Sequence, residues 1–232
     1  MENTKKKIVV LTGAGISAES GIKTFRDSNG LWENHRVEDV ASPEGWEHNP
    51  QLVLDFYNQR RRDLLQVEPN KAHVALTELE GKFEVDIITQ NVDNLHERAG
   101  SLRVLHLHGE LLKVSSSKYP ELIYEWSSDL ELGDYCAKGA QLRPYIVWFG
   151  EAVPLIETAS KLVRKADVVL VIGTSLQVYP AAGLLNHAPY LSPKYMIDPN
   201  DAPLPRIPNL KFINEKATIG VPFVVQKLLE TL

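Results

Sequence analysis

The hexamer Gly13-Ala14-Gly15-Ile16-Ser17-Ala18 follows a short aliphatic run and satisfies G-x-G-x-x-G/A. Bare glycine backbone at that spacing makes a tight turn and lets a pyrophosphate approach amide N–H groups. The same residues also suit a plain turn between strand and helix with nothing bound. A dehydrogenase would next show a strand ending in Asp or Glu about 20 residues on. Residues 19–32 instead form a polar, glycine-bearing stretch holding Phe25, Arg26 and Trp32, suited to covering a ligand. Hydride transfer loses ground on that count, while phosphate chemistry stays open.

Two further groups could do chemistry. On extended backbone His106, His108 and Glu110 point to one side, which fits either a metal triad or polar residues at a strand end. In Phe56-Tyr57-Asn58-Gln59-Arg60 the i, i+3 spacing puts Tyr57 and Arg60 on one helix face, although Arg60-Arg61-Arg62 also suits a solvated basic face.

These groups need a scaffold. Runs of β-branched and aliphatic residues recur at Lys7 to Leu11, Phe83 to Ile88, Arg103 to Leu107, Tyr145 to Trp148, Val168 to Ile172, Tyr195 to Ile197 and Leu210 to Ile213. Helical patterns separate them, so the alternation predicts βαβ units and a mostly parallel sheet. Pro154 opens a helix with Leu155, Ile156, Ala159, Leu162 and Val163 on one face, and Val224, Val225, Leu228 and Leu229 mark a closing amphipathic helix. Residues 31–81, read as purely helical, and 111–142, polar and irregular, break the alternation. Both are expected to form a smaller lobe inserted in one domain spanning 1–232.

With 232 residues the chain has room for one large domain with inserts. Its 25 Lys and Arg against 30 Asp and Glu give a net charge of -5, so nucleic acid is not an expected partner. The single cysteine, Cys136, can form neither an internal disulfide nor a four-thiolate zinc site, and it suits a reducing compartment. The apolar run Ile8-Val9-Val10-Leu11 is shorter than the roughly 7–15 residues of a signal-peptide core. No stretch approaches the roughly 18 apolar residues of a membrane span. A cytoplasmic protein without a membrane partner is expected.

The motifs, taken in order, carry a resemblance. They are Gly13-Ala14-Gly15-Ile16-Ser17 with Thr24-Phe25-Arg26, Thr89-Gln90-Asn91-Val92-Asp93-Asn94-Leu95-His96, and Leu107-His108-Gly109-Glu110. Arg143-Pro144 with Val147-Trp148-Phe149-Gly150-Glu151, and Gly173-Thr174-Ser175 with Val178-Tyr179-Pro180, complete the set. Over about residues 8 to 183 the chain resembles the sirtuins, NAD-dependent protein-lysine deacylases.

The resemblance implies an α/β fold: a doubly wound, mostly parallel Rossmann-like sheet with a smaller inserted lobe. NAD and an acylated lysine of a protein or peptide would enter the cleft between them from opposite sides. Cleavage of the nicotinamide–ribose bond, with capture by the acyl oxygen, would yield nicotinamide and O-acyl-ADP-ribose. Gly13, Ala14 and Gly15 would then approach the pyrophosphate, and Arg26 would either meet it or cap a loop. Ile16 and Asp93 would hold the nicotinamide carboxamide, and Phe25 would cover the reacting face. Gln90 and Asn91 would order ribose hydroxyls and water without fixing charge beside a cationic centre. His108, with a reference pKa near 6.5, would take the ribose hydroxyl proton as base; His106 receives only a supporting or structural place. Gly173, Thr174 and Ser175 would hold the adenosine end. Asp198 stands where sirtuins usually carry Asn; it would accept from a ribose hydroxyl and repel a 2′-phosphate.

On the substrate side the resemblance implies Ala41, Val147, Trp148, Phe149, Gly150 and Val178. Tyr57 and Arg60, with Ala41, resemble the bacterial and desuccinylating (class III) subclass, whose roomier pocket binds an acyl carboxylate. One departure concerns the metal. Most sirtuins carry two C-x₂-C pairs where residues 111–142 hold only Cys136, with Ser115-Ser116-Ser117 near the first pair's place. Neither zinc nor another metal is expected. Two other functions stay open: NAD hydrolysis or ADP-ribosyl transfer on the same fold, and a non-catalytic NAD-sensing module.

Overall fold

The computed structural model describes residues 5–23, 31–32, 34–200 and 207–232. In chain order its elements begin with β1 (Lys7–Thr12), the short strands β2 (Leu31–Trp32) and β3 (His35–Arg36), and helices α1 (Val37–Val40), α2 (Pro43–His48), α3 (Pro50–Leu64) and α4 (Lys71–Glu78). Then come β4 (Glu84–Thr89), α5 (Leu95–Ala99), β5 (Val104–His106), β6 (Gly109–Ser116), β7 (Ile123–Glu125) and β8 (Leu142–Ile146). The chain closes with α6 (Ile156–Val163), β9 (Val168–Ile172), β10 (Lys194–Ile197), β11 (Leu210–Ile213) and α7 (Ala217–Thr231).

Six strands form one parallel sheet in the order β11-β10-β9-β1-β4-β5. Their β-branched side chains alternate between two buried faces. Ile8, Val10, Leu170 and Ile172 pack under α4 and α7, while Val9, Leu11, Val169 and Val171 pack under α6 and the 3-10 turn at 181–187. This is the doubly wound α/β architecture. Chain order reverses between β1 and β9, and an open sheet of this kind leaves a crevice at the carboxyl ends of the strands there.

The smaller lobe holds α1 to α3 and the antiparallel sheet β7-β6-β8. Helix α3 is its spine. Ser42 caps α2 and Asn49 caps α3, each helix starting at a proline that has no N–H to leave unpaired. Arg61 of α3 is 1% exposed; its Nε–H donates to the Leu111 carbonyl at 3.1 Å and its Nη1–H to Asn58 Oδ1 at 2.7 Å and the Ser128 carbonyl at 3.2 Å. Asn58 also pairs with both backbone groups of Leu130.

Two sequence expectations are corrected. Residues 31–81 are not purely helical: β2 and β3 precede the helices, and α4 lies on the sheet, where Ala72, Ala75 and Leu76 join the core cluster of Val221 and Val224. The strand expected at Tyr145 to Trp148 is β8, shifted toward the N-terminus and antiparallel to β6 outside the main sheet. Its buried residues Leu142, Pro144 and Ile146 alternate with half-buried ones, the pattern of a strand with one face in a core.

Candidate active site

Five parallel strands deliver the site's residues from their carboxyl ends. Gly13 follows β1, Gln90 to Asp93 follow β4, His108 follows β5, Gly173 to Ser175 follow β9 and Asp198 follows β10. At the reversal point the Gly15 N–H donates to the Gly173 carbonyl at 2.9 Å and the Gly13 N–H to that of Ile172 at 3.0 Å. A Cβ on Gly15 would sit 2.6 Å from Gly173 Cα, and Gly173 has φ +60°, so glycine at both positions lets the two loops touch. The cleft above them measures about 1180 Å³. Gln90 bridges it from behind, its Nε2–H donating to Thr174 Oγ1 at 3.2 Å.

Behind the cleft wall Ser17 is the hub of a buried polar network. Its hydroxyl donates to Asp93 Oδ2 at 3.0 Å and accepts from Asn91 Nδ2 at 3.2 Å; the same Asn91 amide reaches the Gly13 carbonyl at 3.2 Å. Burial pushes the Asp93 carboxyl up, against the opposing effect of bonds from the Leu95 N–H and Ser17. His73 lies 3.5 Å from Ser17 and accepts at Nδ1 from the Asn70 N–H, so its proton sits on Nε2, facing Ser17. Burial lowers the His73 pKa to about 4, and it holds that of His96, packed edge-on to His73 and 3.1 Å from Thr12 Oγ1, well below the usual range. Both rings are therefore neutral.

Of His106, His108 and Glu110, only His108 lines the cleft. Gly109, at φ +84°, turns the chain between β5 and β6, and a Cβ there would collide with the Tyr145 carbonyl. His108 Nδ1 lies 3.0 Å from the Gln90 carbonyl, which can only accept, so Nδ1 carries the proton and Nε2 keeps its lone pair. Burial lowers the His108 pKa, with the bond to Gln90 opposing. His106 is bonded to the Asn91 carbonyl and Glu97, while Glu110 pairs with Lys113 at 2.9 Å. Among the described residues no group of three His, Cys, Asp or Glu side chains is disposed to hold a metal ion.

At the other end of the cleft stand Tyr57 and Arg60, together with Ala41, Val147, Trp148, Phe149, Gly150 and Val178. Tyr57 is fully buried; burial pushes its hydroxyl pKa up, and the oxygen accepts from Trp148 Nε1–H at 3.1 Å. The Arg60 guanidinium lies 4.3 Å from the Trp32 ring centroid. The three arginines thus divide: Arg60 faces the cleft, Arg61 is buried, and only Arg62 is a solvated residue, paired with Asp129. Trp148 is sandwiched against Arg143, 3.4 Å from its centroid, and Glu151 holds both Arg143 and the Trp148 N–H.

Ala14, Ser175 and Asp198 also line the cleft, the last accepting at Oδ1 from the Asn200 N–H and Nδ2–H. Ile16 is not among the lining residues: the tight turn at 14–16 directs its apolar side chain into the sheet core beside Ala72 and Leu76. Phe25 and Arg26 lie outside the described residues. Sequence reasoning passed over Ser17, His73, His96 and Arg143 as site residues. The one local signal was Asn70 three residues before His73, a capping-box spacing.

A doubly wound sheet with paired glycine loops at its reversal point and a buried Asn-Ser-Asp cluster beside a one-sided histidine defines a nucleotide-binding α/β enzyme class. The Sir2 family model matches residues 13–180, and the chain belongs to that family. It is 60% identical over 227 residues to an NAD-dependent protein deacylase of Helicobacter pylori, covering 97% of this chain and 98% of that one. Among solved structures, a Sir2 homologue–NAD complex superimposes with a TM-score of 0.85 at 39% identity, covering 97% of this chain and 90% of that one. A mutant Sir2 homologue with ADP-ribose gives a TM-score of 0.88 at 39% identity, covering 98% and 95%.

Proposed function

We propose that the protein is an NAD-dependent protein-lysine deacylase that releases nicotinamide and O-acyl-ADP-ribose. The observation that carries this reading is His108, whose Nδ1–H is fixed on a backbone carbonyl so that Nε2 is the basic atom, on a ring that lines the cleft. NAD supplies, when bound, a cleavable nicotinamide–ribose bond and the ADP-ribosyl acceptor of the acyl group. Gly13 to Gly15 and Gly173 to Ser175 would hold its phosphates and adenosine. Asp93, held by Ser17 and the Leu95 N–H, would receive the carboxamide, and Asn91 would orient the ribose. His108 takes the hydroxyl proton at Nε2, and its lowered pKa leaves that atom unprotonated at neutral pH.

The finer assignments follow the same logic. Tyr57 accepts from Trp148, which turns its own O–H away from the indole; with Arg60 it suits a succinyl or malonyl carboxylate. Asp198 would repel a 2′-phosphate and favour NAD over NADP. The smaller lobe would work without zinc, because one cysteine cannot supply the four thiolates of the family's metal site. Cys136 bonds instead with Ser116 and packs with Leu54, Val114, Leu130 and Leu142, flanked by Tyr119, Leu122, Tyr124 and Trp126. No helix among the described residues is long and apolar enough to cross a membrane, and the cysteine usage fits the cytoplasm.

The test is mass spectrometry of products from NAD with acetyl-, succinyl- and unmodified lysine peptides. Nicotinamide and O-acyl-ADP-ribose formed only with acylated peptides support the reading. Equal nicotinamide release without them assigns the protein to NAD hydrolysis or ADP-ribosyl transfer, and no release at all leaves a sensing module.

A further inference from the structure

We infer that His106, paired with Glu97, is a positioning residue that aims Asn91 during catalysis; its kinetic part rests on the deacylase reading above. His106 ends β5 at 8% exposure and is not on the cleft wall. Its Nδ1 lies 3.0 Å from the Asn91 carbonyl and its Nε2 lies 2.7 Å from Glu97 Oε1. A carbonyl and an ionised carboxylate can only accept, so both nitrogens carry protons and the ring is an imidazolium. Burial opposes that charge, but the bonds to Glu97 and Asn91 and the nearby Glu110 outweigh it and hold the ring's pKa above its ordinary value. The other titratable groups it feels are Asp93, after β4, and His96, on α5.

The geometry gives this cation a task. Asn91 is gripped at both ends, its carbonyl by His106 and its side-chain amide by Ser17 and Gly13. Two residues along, His108 grips the preceding carbonyl, that of Gln90, in the same manner. The histidines thus pin consecutive peptide groups of one loop, and that loop carries Asn91 and Asp93. Releasing the His106 pin lets the Asn91 peptide rotate, and misplacement of about 1 Å near reacting atoms costs on the order of 10²-fold in rate. Only the carboxylate separates the two rings: Glu97 makes His106 a charged anchor, whereas His108 is left with a basic Nε2.

Two substitutions divide the two bonds. His106→Asn keeps a donor near the Nδ1 position, aimed at Asn91; His106→Gln keeps one near Nε2, aimed at Glu97. In steady-state kinetics with an acylated peptide, His106→Gln should lower kcat about tenfold or more while the KM for NAD changes less than about twofold. His106→Asn should lose clearly less. Glu97→Gln should move the alkaline limb of the kcat profile to lower pH, since the imidazolium loses its counter-charge. Nitrogen-15 NMR of the wild-type protein at pH 7 should show both His106 nitrogens protonated. Equal kcat losses in the two His106 variants, or losses that follow thermal stability, overturn the positioning role. A neutral His106 ring overturns the ion pair alone. A wild-type protein that releases no nicotinamide with acylated peptides overturns the deacylase reading and the kinetic role with it.

Discussion

Along β9 every side chain from Val168 to Ile172 is at most 1% exposed, whereas along β8 buried and half-buried residues alternate. The first strand is clamped by helices on both faces, so its stability comes from apolar area removed from water. The second sits in a lobe held together by a smaller apolar cluster around Phe56, Leu111 and Trp148, by packing around Cys136, and by polar pegs inside it, Arg61 and Asn58 above all. The difference teaches where each region is fragile. The sheet lobe is expected to fail as one body when a core atom is lost, and the smaller lobe to loosen while the sheet stays folded.

The largest expected effect touches neither core. His108→Ala should cost about 10²–10⁴ in deacylation rate, with NAD binding by calorimetry and the melting temperature nearly unchanged. Near wild-type turnover would remove His108 from the mechanism. In the wild type, kcat/KM should hold its plateau below pH 6.5 before the acid limb begins, because burial lowers the His108 pKa and the base stays unprotonated there.

Next comes the contrast itself. Leu170→Ala should destabilise the whole molecule by about 2–5 kcal/mol, exposing β1 and β9 amides to exchange together. Arg61→Met should cost about 1.5–3 kcal/mol for each charged bond it loses, with faster exchange confined to the smaller lobe, residues 37–64 and 109–146. If Arg61→Met exposed the sheet amides equally, the two lobes would be one cooperative unit.

Acid should attack the sheet lobe in a definite window. His73 is neutral in the fold with a pKa near 4, so the unfolded chain binds its proton first. Stability is full above the unfolded value near 6.5 and declines as pH falls from there toward 4, by roughly 1.4 kcal/mol per unit. His73→Asn should lessen that slope in denaturant titrations between pH 6.5 and 4.5, the share of buried His96 remaining; an unchanged slope would place the acid sensitivity elsewhere.

Smaller still is the effect on acyl choice. Arg60→Met should lower desuccinylation kcat/KM about 10- to 150-fold while sparing deacetylation. Equal losses on both substrates would make Arg60 part of the lobe's framework, and no loss would detach it from the acyl pocket. Smallest is Asp198→Asn, expected to relax the preference for NAD over NADP by no more than about tenfold, since the carboxylate is one charge in a partly open cleft.

Legibility followed the same division. The span of β9 coincides with its apolar run, because a strand buried on both faces must be apolar throughout; β11, at the sheet's edge with Lys211 exposed, was marked by Leu210, Phe212 and Ile213 alone. Strand β8 was misplaced because its inward residues include Pro144 and because its partner β6 lies mostly in the polar segment 111–142, where Leu111, Leu112 and Val114 are interrupted by Lys113 and followed by serines. The cleft residues were readable where a motif kept them together. The network of Ser17, His73 and His96 was not, because the bonds from Ser17 to His73 and from Thr12 to His96 span 56 and 84 residues, and its one local mark is the Asn70–His73 capping box.

The bond that fixes His108 also limits it. A carbonyl oxygen accepts a hydrogen bond but does not carry a proton away, so Gln90 offers the ring no rearward exit. Whatever Nε2 collects must leave by Nε2, on the side from which it came. On the proposed reading the base would work as a cul-de-sac, not a wire, and each turnover would end only after the cleft had admitted water or a departing product to empty it.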